Sequence, residues 1–321
     1  MIFKAPNLKK YSCFSVLSFF LLAGCVADES KTELNLEPAV ESTYTVVHNE
    51  QQFTVESYEG ELRTFLAESQ EAPLEREALY REIVHSSLRD RGISYNHLEY
   101  WMFAAPTNLG TFEKTLDKLK KRKAEIDQAV EEALTESAEL LPGEDKTVHI
   151  LPALPEETNA MEAVNFVTGV VWSRSDMVIF IDPRASVDAI KHTVAHEYHH
   201  TIYNELDDNP SSQGLLELSI MEGKAESFTK LLYPDVQPPW TEPLSKEEKA
   251  NVLPIFMEHL NSYDYDINQI FHNGDYVKGI PTWSTYRIGY EWVQDYLIAH
   301  PDLSVREWTK LNQEEFLPSE E

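Results

Sequence analysis

The spacing of hydrophobic positions changes character twice along the chain. From 59 to 91 apolar residues recur at helical intervals (Leu62, Phe65, Leu66, Leu79, Ile83, Val84, Leu88), with a break near Pro73. A second helix is predicted from about 112 to 140, with Leu116, Leu119, Ile126, Val130, Ala133 and Leu140 as its buried stripe. Thr111 is its expected cap and Leu141-Pro142-Gly143 its stop. The pattern then becomes short and β-branched at 148–154, 166–172 and 177–181, the last two runs joined by a hairpin connection over 173–176. After Asp182-Pro183 helical spacing returns, predicting helices at 185–204, 214–231, 245–260, 285–299 and 304–312. Helices, a small sheet, then helices argue for an α+β fold rather than alternating α/β.

The N-terminal residues do not share this patterning. Lys4, Lys9 and Lys10 precede the apolar run YSCFSVLSFFLLAG, the layout of a secretory signal too short to span a bilayer comfortably. Its end, Leu22-Ala23-Gly24-Cys25, resembles a bacterial lipobox, in which the signal is cut before the cysteine and the cysteine takes the lipid anchor. Residues 26–45 are polar and acid-rich. A tether is expected over 25–58, although TYTVV at 43–47 also fits a strand docked on the body.

Composition narrows the partners. Asp and Glu number 55 against 27 Lys and Arg, for a net charge of −28, so phosphate backbones are repelled and nucleic acid is excluded as a partner. The two cysteines, Cys13 and Cys25, both fall in the signal or at the anchor, so neither a disulfide framework nor a Cys-rich zinc module is available. The basic cluster KLKKRK at 118–123 reads as a solvated helix face, and Tyr263–Asp266 as a solvated acidic loop rather than a calcium site.

The chemistry sits on the helix at 185–204, which carries His196-Glu197-Tyr198-His199-His200. Residues i and i+4 share a helical face, so His196 and His200 can offer their imidazoles to one ion, while Glu197 reaches a water beside it as general base. A third ligand is expected from LLELSIMEGKAESF: Glu222, with Glu226 one turn on as acceptor for a ligand histidine. The reverse assignment, Glu226 as ligand and Glu222 as support, stays open. Gly223 is expected to let the two ligand-bearing helices pack closely. His192 reads as a polar helix residue, His199 as a surface or packing residue, and Glu217 as solvated.

VAHEYHHTIY followed by IMEGKAESF resembles the bacterial family of predicted Zn-dependent proteases of the YjaZ type, from about residue 110 to 312. The EGxAE segment is also similar to the third-ligand motif of bacterial collagenases and other gluzincins, which favours Glu222. The resemblance implies a zincin-like (gluzincin) fold with a small mixed β-sheet, an HExxH active-site helix and a mostly helical C-terminal part. It also implies one Zn2+ per chain and metal-dependent peptide hydrolysis. An edge strand before the HExxH helix would bind substrate by strand addition, with Gly169, Val170 and Val171 as candidates. In the segment 279–290 the expected oxyanion donor is Tyr286, with Tyr290 second.

The expected organisation is a signal at 1–24, a tether at 25–58, a helical section at 59–147 and a zincin-like catalytic domain at 148–321. The expected protein is a monomeric zinc metallopeptidase acting on a peptide or protein, lipid-anchored on the extracytoplasmic face of the cell membrane. The competing expectation is a lipoprotein that holds metal or substrate without chemistry. Glu197 speaks against it, because metal capture has no use for a carboxylate beside the first ligand.

Overall fold

The computed structural model describes residues 43–94, Leu98, 101–206 and 214–318. The expected signal, Cys25 and the tether up to residue 42 lie outside the described residues. The expected tether boundary at 58 is corrected: β1 (Thr43–His48) and β2 (Gln51–Ser57) form an antiparallel hairpin. Val46, Phe53 and Val55 are buried and alternate with outward residues such as Val47, Gln52 and Thr54, so one face of the hairpin joins the core.

The hairpin belongs to a five-stranded mixed sheet of order β1-β2-β3-β5-β4, with β3 at Lys146–Pro152, β4 at Val167–Val171 and β5 at Asp176–Ile181. β2, β3 and β5 run parallel, while β1 and β4 are antiparallel edges. A parallel β2–β3 pair requires a crossover. That crossover holds α1 (Glu59–Glu71), α2 (Arg76–Tyr80), a π-turn at Arg81–His85, α3 (Ser86–Asp90) and α4 (Leu109–Leu140). The helical section expected as a separate stretch is therefore an insertion between neighbouring strands of one sheet. α4 begins slightly earlier than its periodicity suggested, because the Asn108 side chain, not Thr111, caps it by accepting from the Thr111 N–H at 2.9 Å.

Both sheet faces are covered. Met177, Ile179 and Ile181 of β5 pack into the cluster containing Val130, Leu134, Val194 and Tyr198, while Val178 and Phe180 face Leu62, Phe65 and Phe103. This double burial explains why MVIFI is a continuous apolar run. From the basic cluster, Arg122 donates to the carbonyls of Pro183 and Ala185 at 2.8 and 2.7 Å, tying α4 to the entry of the next long helix.

After α5 (Thr158–Ala163), the remaining described chain downstream of the sheet is helical: α6 (Val187–Leu206), α7 (Leu215–Leu232), α8 (Lys246–Glu258), α9 (Tyr265–Asn273), α10 (Ser284–Ala299) and α11 (Val305–Lys310). Periodicity missed α5 and α9. The acidic segment at 263–266 is the start of α9, where the Asp264 carboxylate caps the helix by accepting from the Asp266 N–H at 2.9 Å. No described helix is long and apolar enough to cross a membrane.

Candidate metal centre

α6 is enclosed on several sides, so His196, Glu197 and His200 are each under 9% exposed. The i, i+4 spacing sets the two imidazoles side by side, with Nε2 atoms 2.9 Å apart. Glu222 reaches across from α7, its Oε2 lying 3.1 Å from His196 Nε2 and 3.2 Å from His200 Nε2. The donor set fits a cation. His196 Nδ1 stands 2.9 Å from Glu226 Oε1 and donates to it, so in the neutral ring it is Nε2 that carries the lone pair, aimed at the other two atoms. Two nitrogens and a carboxylate oxygen converging on one point form the set that tetrahedral zinc takes, with a fourth position open.

Glu226 sits on the outer side of His196, 1% exposed, and also accepts from Trp240 Nε1 at 2.7 Å. It stands outside the triangle of His196, His200 and Glu222. Burial acts to raise both α7 carboxyls, but the histidines outweigh it. His200 and His196 hold Glu222 well below the usual carboxylate range, and His192 and His196 do the same for Glu226. Glu197 goes the other way: burial pushes its carboxyl up.

A Cβ on Gly169 of β4 would lie 2.3 Å from Glu197 Cγ, so the glycine leaves the space that Glu197 fills. Gly169, His196, Glu197 and Tyr286 border both halves of one cleft along β4. β4 pairs only with β5 among the described residues. The Asp182 N–H donates to Phe166 O and the Trp172 N–H to Asp176 O; with the β4–β5 register, Thr168 and Val170 face β5. Gly169 and Val171 therefore turn their N–H and C=O outward, as Val167 does its C=O, while the Val167 N–H donates to Val164 O at 3.4 Å. Of the three expected edge residues, Gly169 and Val171 lie with their backbone groups on the outer side of β4, and Val170 is corrected because its backbone groups face β5.

Gly223 also needs correction. A Cβ there would lie 2.3 Å from the backbone carbonyl of Gly289, and one on Gly289 would meet Ser219 O, so the close approach is between α7 and α10, not α7 and α6. This contact brings Tyr286 to the centre, its ring 6.4 Å from that of His196 and nearly parallel to it. Burial, together with Glu222, Glu197 and Glu226, raises the Tyr286 phenol well above its ordinary value, so it stays an O–H donor. Tyr290 instead borders a separate cavity behind Glu226 and His192.

The family model described as Predicted Zn-dependent protease (DUF2268) matches residues 126–318. The chain belongs to this family of predicted Zn-dependent proteases. No curated protein and no solved structure matches it. The span matched to the protease family starts inside α4 and takes in β3–β5 and every residue of the centre, while β1, β2 and α1–α3 precede it.

Three neighbours of the protease family's histidine pair were not legible beforehand. His192 is a buried partner of Glu226 (Nε2 to Oε2, 3.3 Å), and its position four residues before His196 was the available signal. Trp240 lies in a proline-rich irregular stretch without periodicity, and His272 on the missed helix α9. His199 packs away from the centre, buried and stacked on Trp308. Glu217 is half-buried rather than solvated.

Proposed function

We propose that this family member is a zinc-dependent metallopeptidase of zincin-like, gluzincin build, with one Zn2+ held by His196, His200 and Glu222. One observation carries the reading. Two imidazole nitrogens and a carboxylate oxygen converge within 3.2 Å beside a free strand edge, with Glu197 next to them in the same cleft. When bound, zinc supplies Lewis acidity toward water and the scissile carbonyl.

The chain's own residues do the rest. The outward backbone groups of Gly169 and Val171, with the Val167 carbonyl, pair with an extended peptide and fix its register. Glu197 takes the proton of the attacking water and returns it to the leaving amine; its burial-raised pKa suits both transfers. The Tyr286 hydroxyl donates to the developing oxyanion. Glu226 fixes the His196 ring and its tautomer. Outside the described residues, Cys25 carries the lipid that anchors this monomeric protein to the extracytoplasmic face of the cell membrane, where peptides or proteins are its substrates.

The test is metal analysis of the purified protein with cleavage of a diverse peptide library, before chelation, after it and after zinc is restored. The reading expects about one zinc per chain and cleavage that follows the metal. A zinc-loaded protein that cleaves nothing overturns it.

A further inference from the structure

The two halves of the cleft differ in chemistry. On the Val171 side of Gly169 the lining includes Val170, Asn204 and Met221, aliphatic or polar. On the Val167 side a cavity of about 200 Å³ has an aromatic wall of Trp240, Trp283, Tyr286 and His272. Ring centroids lie 4.9 Å apart for His272–Trp283, 5.6 Å for Trp283–Tyr286 and 5.7 Å for Trp240–Trp283. These rings are only partly buried, whereas Trp292 and Trp308 elsewhere are 7% and 2% exposed. Partly exposed aromatic faces lining a concavity are a surface for a ligand to cover.

The backbone points to the same place independently. Among the described residues, two bulky aromatics have positive φ, Phe166 at 67° and Trp283 at 63°. Phe166 stands between the lining residues Val164 and Val167, and Trp283 is itself in the wall. Both are pinned: Phe166 O accepts from the Asp182 N–H, and the Trp283 N–H donates to His272 O, each at 2.9 Å. Left-handed backbone at bulky residues is unfavourable and persists where surrounding structure imposes it, commonly at ligand sites.

We infer that this pocket selects a bulky aromatic side chain on the residue immediately after the scissile bond of a peptide substrate. The inference rests on the peptidase reading. A strand added to the free edge of β4 pairs more stably antiparallel. β4 runs from Val167 to Val171, so the added peptide runs the other way, and the residue following the scissile bond falls on the Val167 side. Charge argues against the alternatives. No described lysine or arginine lines the pocket, where an acidic side chain would face the Glu197 and Glu226 carboxylates among rings, valines and threonines. A basic one would give up its hydration for Glu226, which already accepts from His196 and Trp240.

The test uses the zinc-loaded full chain and hexapeptides of alanine and glycine with Phe, Ala, Lys or Glu at one fixed position. Cleavage before that position, with kcat/KM for Phe above Ala by about tenfold or more and Lys and Glu below Ala, is expected. Trp283→Ala and His272→Ala should each drive the Phe-to-Ala ratio toward one. Equal rates for Phe and Ala, or a preference for Lys, overturn the inference and leave the peptidase reading standing. If no peptide is cleaved, the peptidase reading falls and binding decides the pocket. N-acetyl-phenylalanine amide should then bind saturably and lose about tenfold in affinity in Trp283→Ala; no binding to the unmodified chain overturns the inference.

Discussion

Two buried clusters of histidine and carboxylate lie on opposite faces of the same sheet, and they are built on opposite logic. At α6 and α7, one side-chain atom each of His196, His200 and Glu222 faces a common point at mutual distances of 2.9 to 3.2 Å. On β3, His149 Nδ1 is 2.7 Å from the Tyr58 hydroxyl and its Nε2 3.6 Å from Asp176 Oδ1, while Asp176 Oδ2 accepts from Ser173 and Ser175 at 2.5 and 2.6 Å. In the second cluster a hydroxyl and a carboxylate flank the imidazole on its two nitrogens, and no three ligand atoms meet at one point. In the first, two imidazole nitrogens and a carboxylate oxygen converge on a point that could hold a cation. Burial and histidine–acid proximity are common to both, so neither feature alone marks a metal centre. Convergence does.

The contrast breaks most sharply at the ligands. His200→Ala should abolish bound zinc and hydrolysis together, read by elemental analysis and peptide cleavage, with the far-ultraviolet circular dichroism unchanged. Next in size is Gly169→Ala, whose new methyl occupies the space of the Glu197 side chain. Cleavage should fall about a hundredfold, the order expected when a general base is displaced, with zinc retained. Loss of zinc in that variant would mean that Gly169 supports the fold of the centre rather than the position of the base.

Glu226→Gln removes the charge behind His196 and should weaken zinc affinity about 10- to 100-fold in a chelator competition. An unchanged affinity would remove Glu226 from its supporting role.

The smallest effect belongs to the other cluster. Burial acts to raise the Asp176 carboxyl, but His149 and the hydroxyls of Ser173 and Ser175 outweigh it and bring the pKa down to about 2. Since the folded value lies below the unfolded one, the unfolded chain binds more protons between about pH 4 and pH 2, and the stabilisation fades as pH falls through that window. Asp176→Asn should cost about 1 kcal/mol at pH 6, after allowance for partial exposure, and less at pH 3, by urea titration. Zinc content and cleavage should not change. A catalytic defect in this variant would end the division between the two clusters.

The helix-borne part of the centre was legible because i, i+4 spacing fixes a shared face before any tertiary contact forms; His196, His200 and Glu197 follow from one segment, and Glu222 from the next helix. What escaped depends on contacts remote in sequence. Gly169 meets Glu197 and Gly223 meets Gly289 only once strands and helices have packed. Trp240 reaches Glu226 from a segment with no period to read. The β1–β2 hairpin was merged with the tether because its outward residues, such as Thr43, Gln52 and Glu56, are as polar as a linker; only the alternate positions bury. α9 is hidden in the sequence because its capping Asp264 looks the same as a solvated acid without the helix behind it.

Glu197 holds the central claim, since metal binding alone does not need it and hydrolysis does. The most direct measurement compares the full chain with Glu197→Gln, an isosteric change, for zinc content and for kcat/KM on one cleaved peptide. The account predicts about one zinc per chain in both proteins and a loss of roughly 10²- to 10⁴-fold in cleavage for the variant. Cleavage by Glu197→Gln at the unmodified rate, with zinc bound, would contradict it.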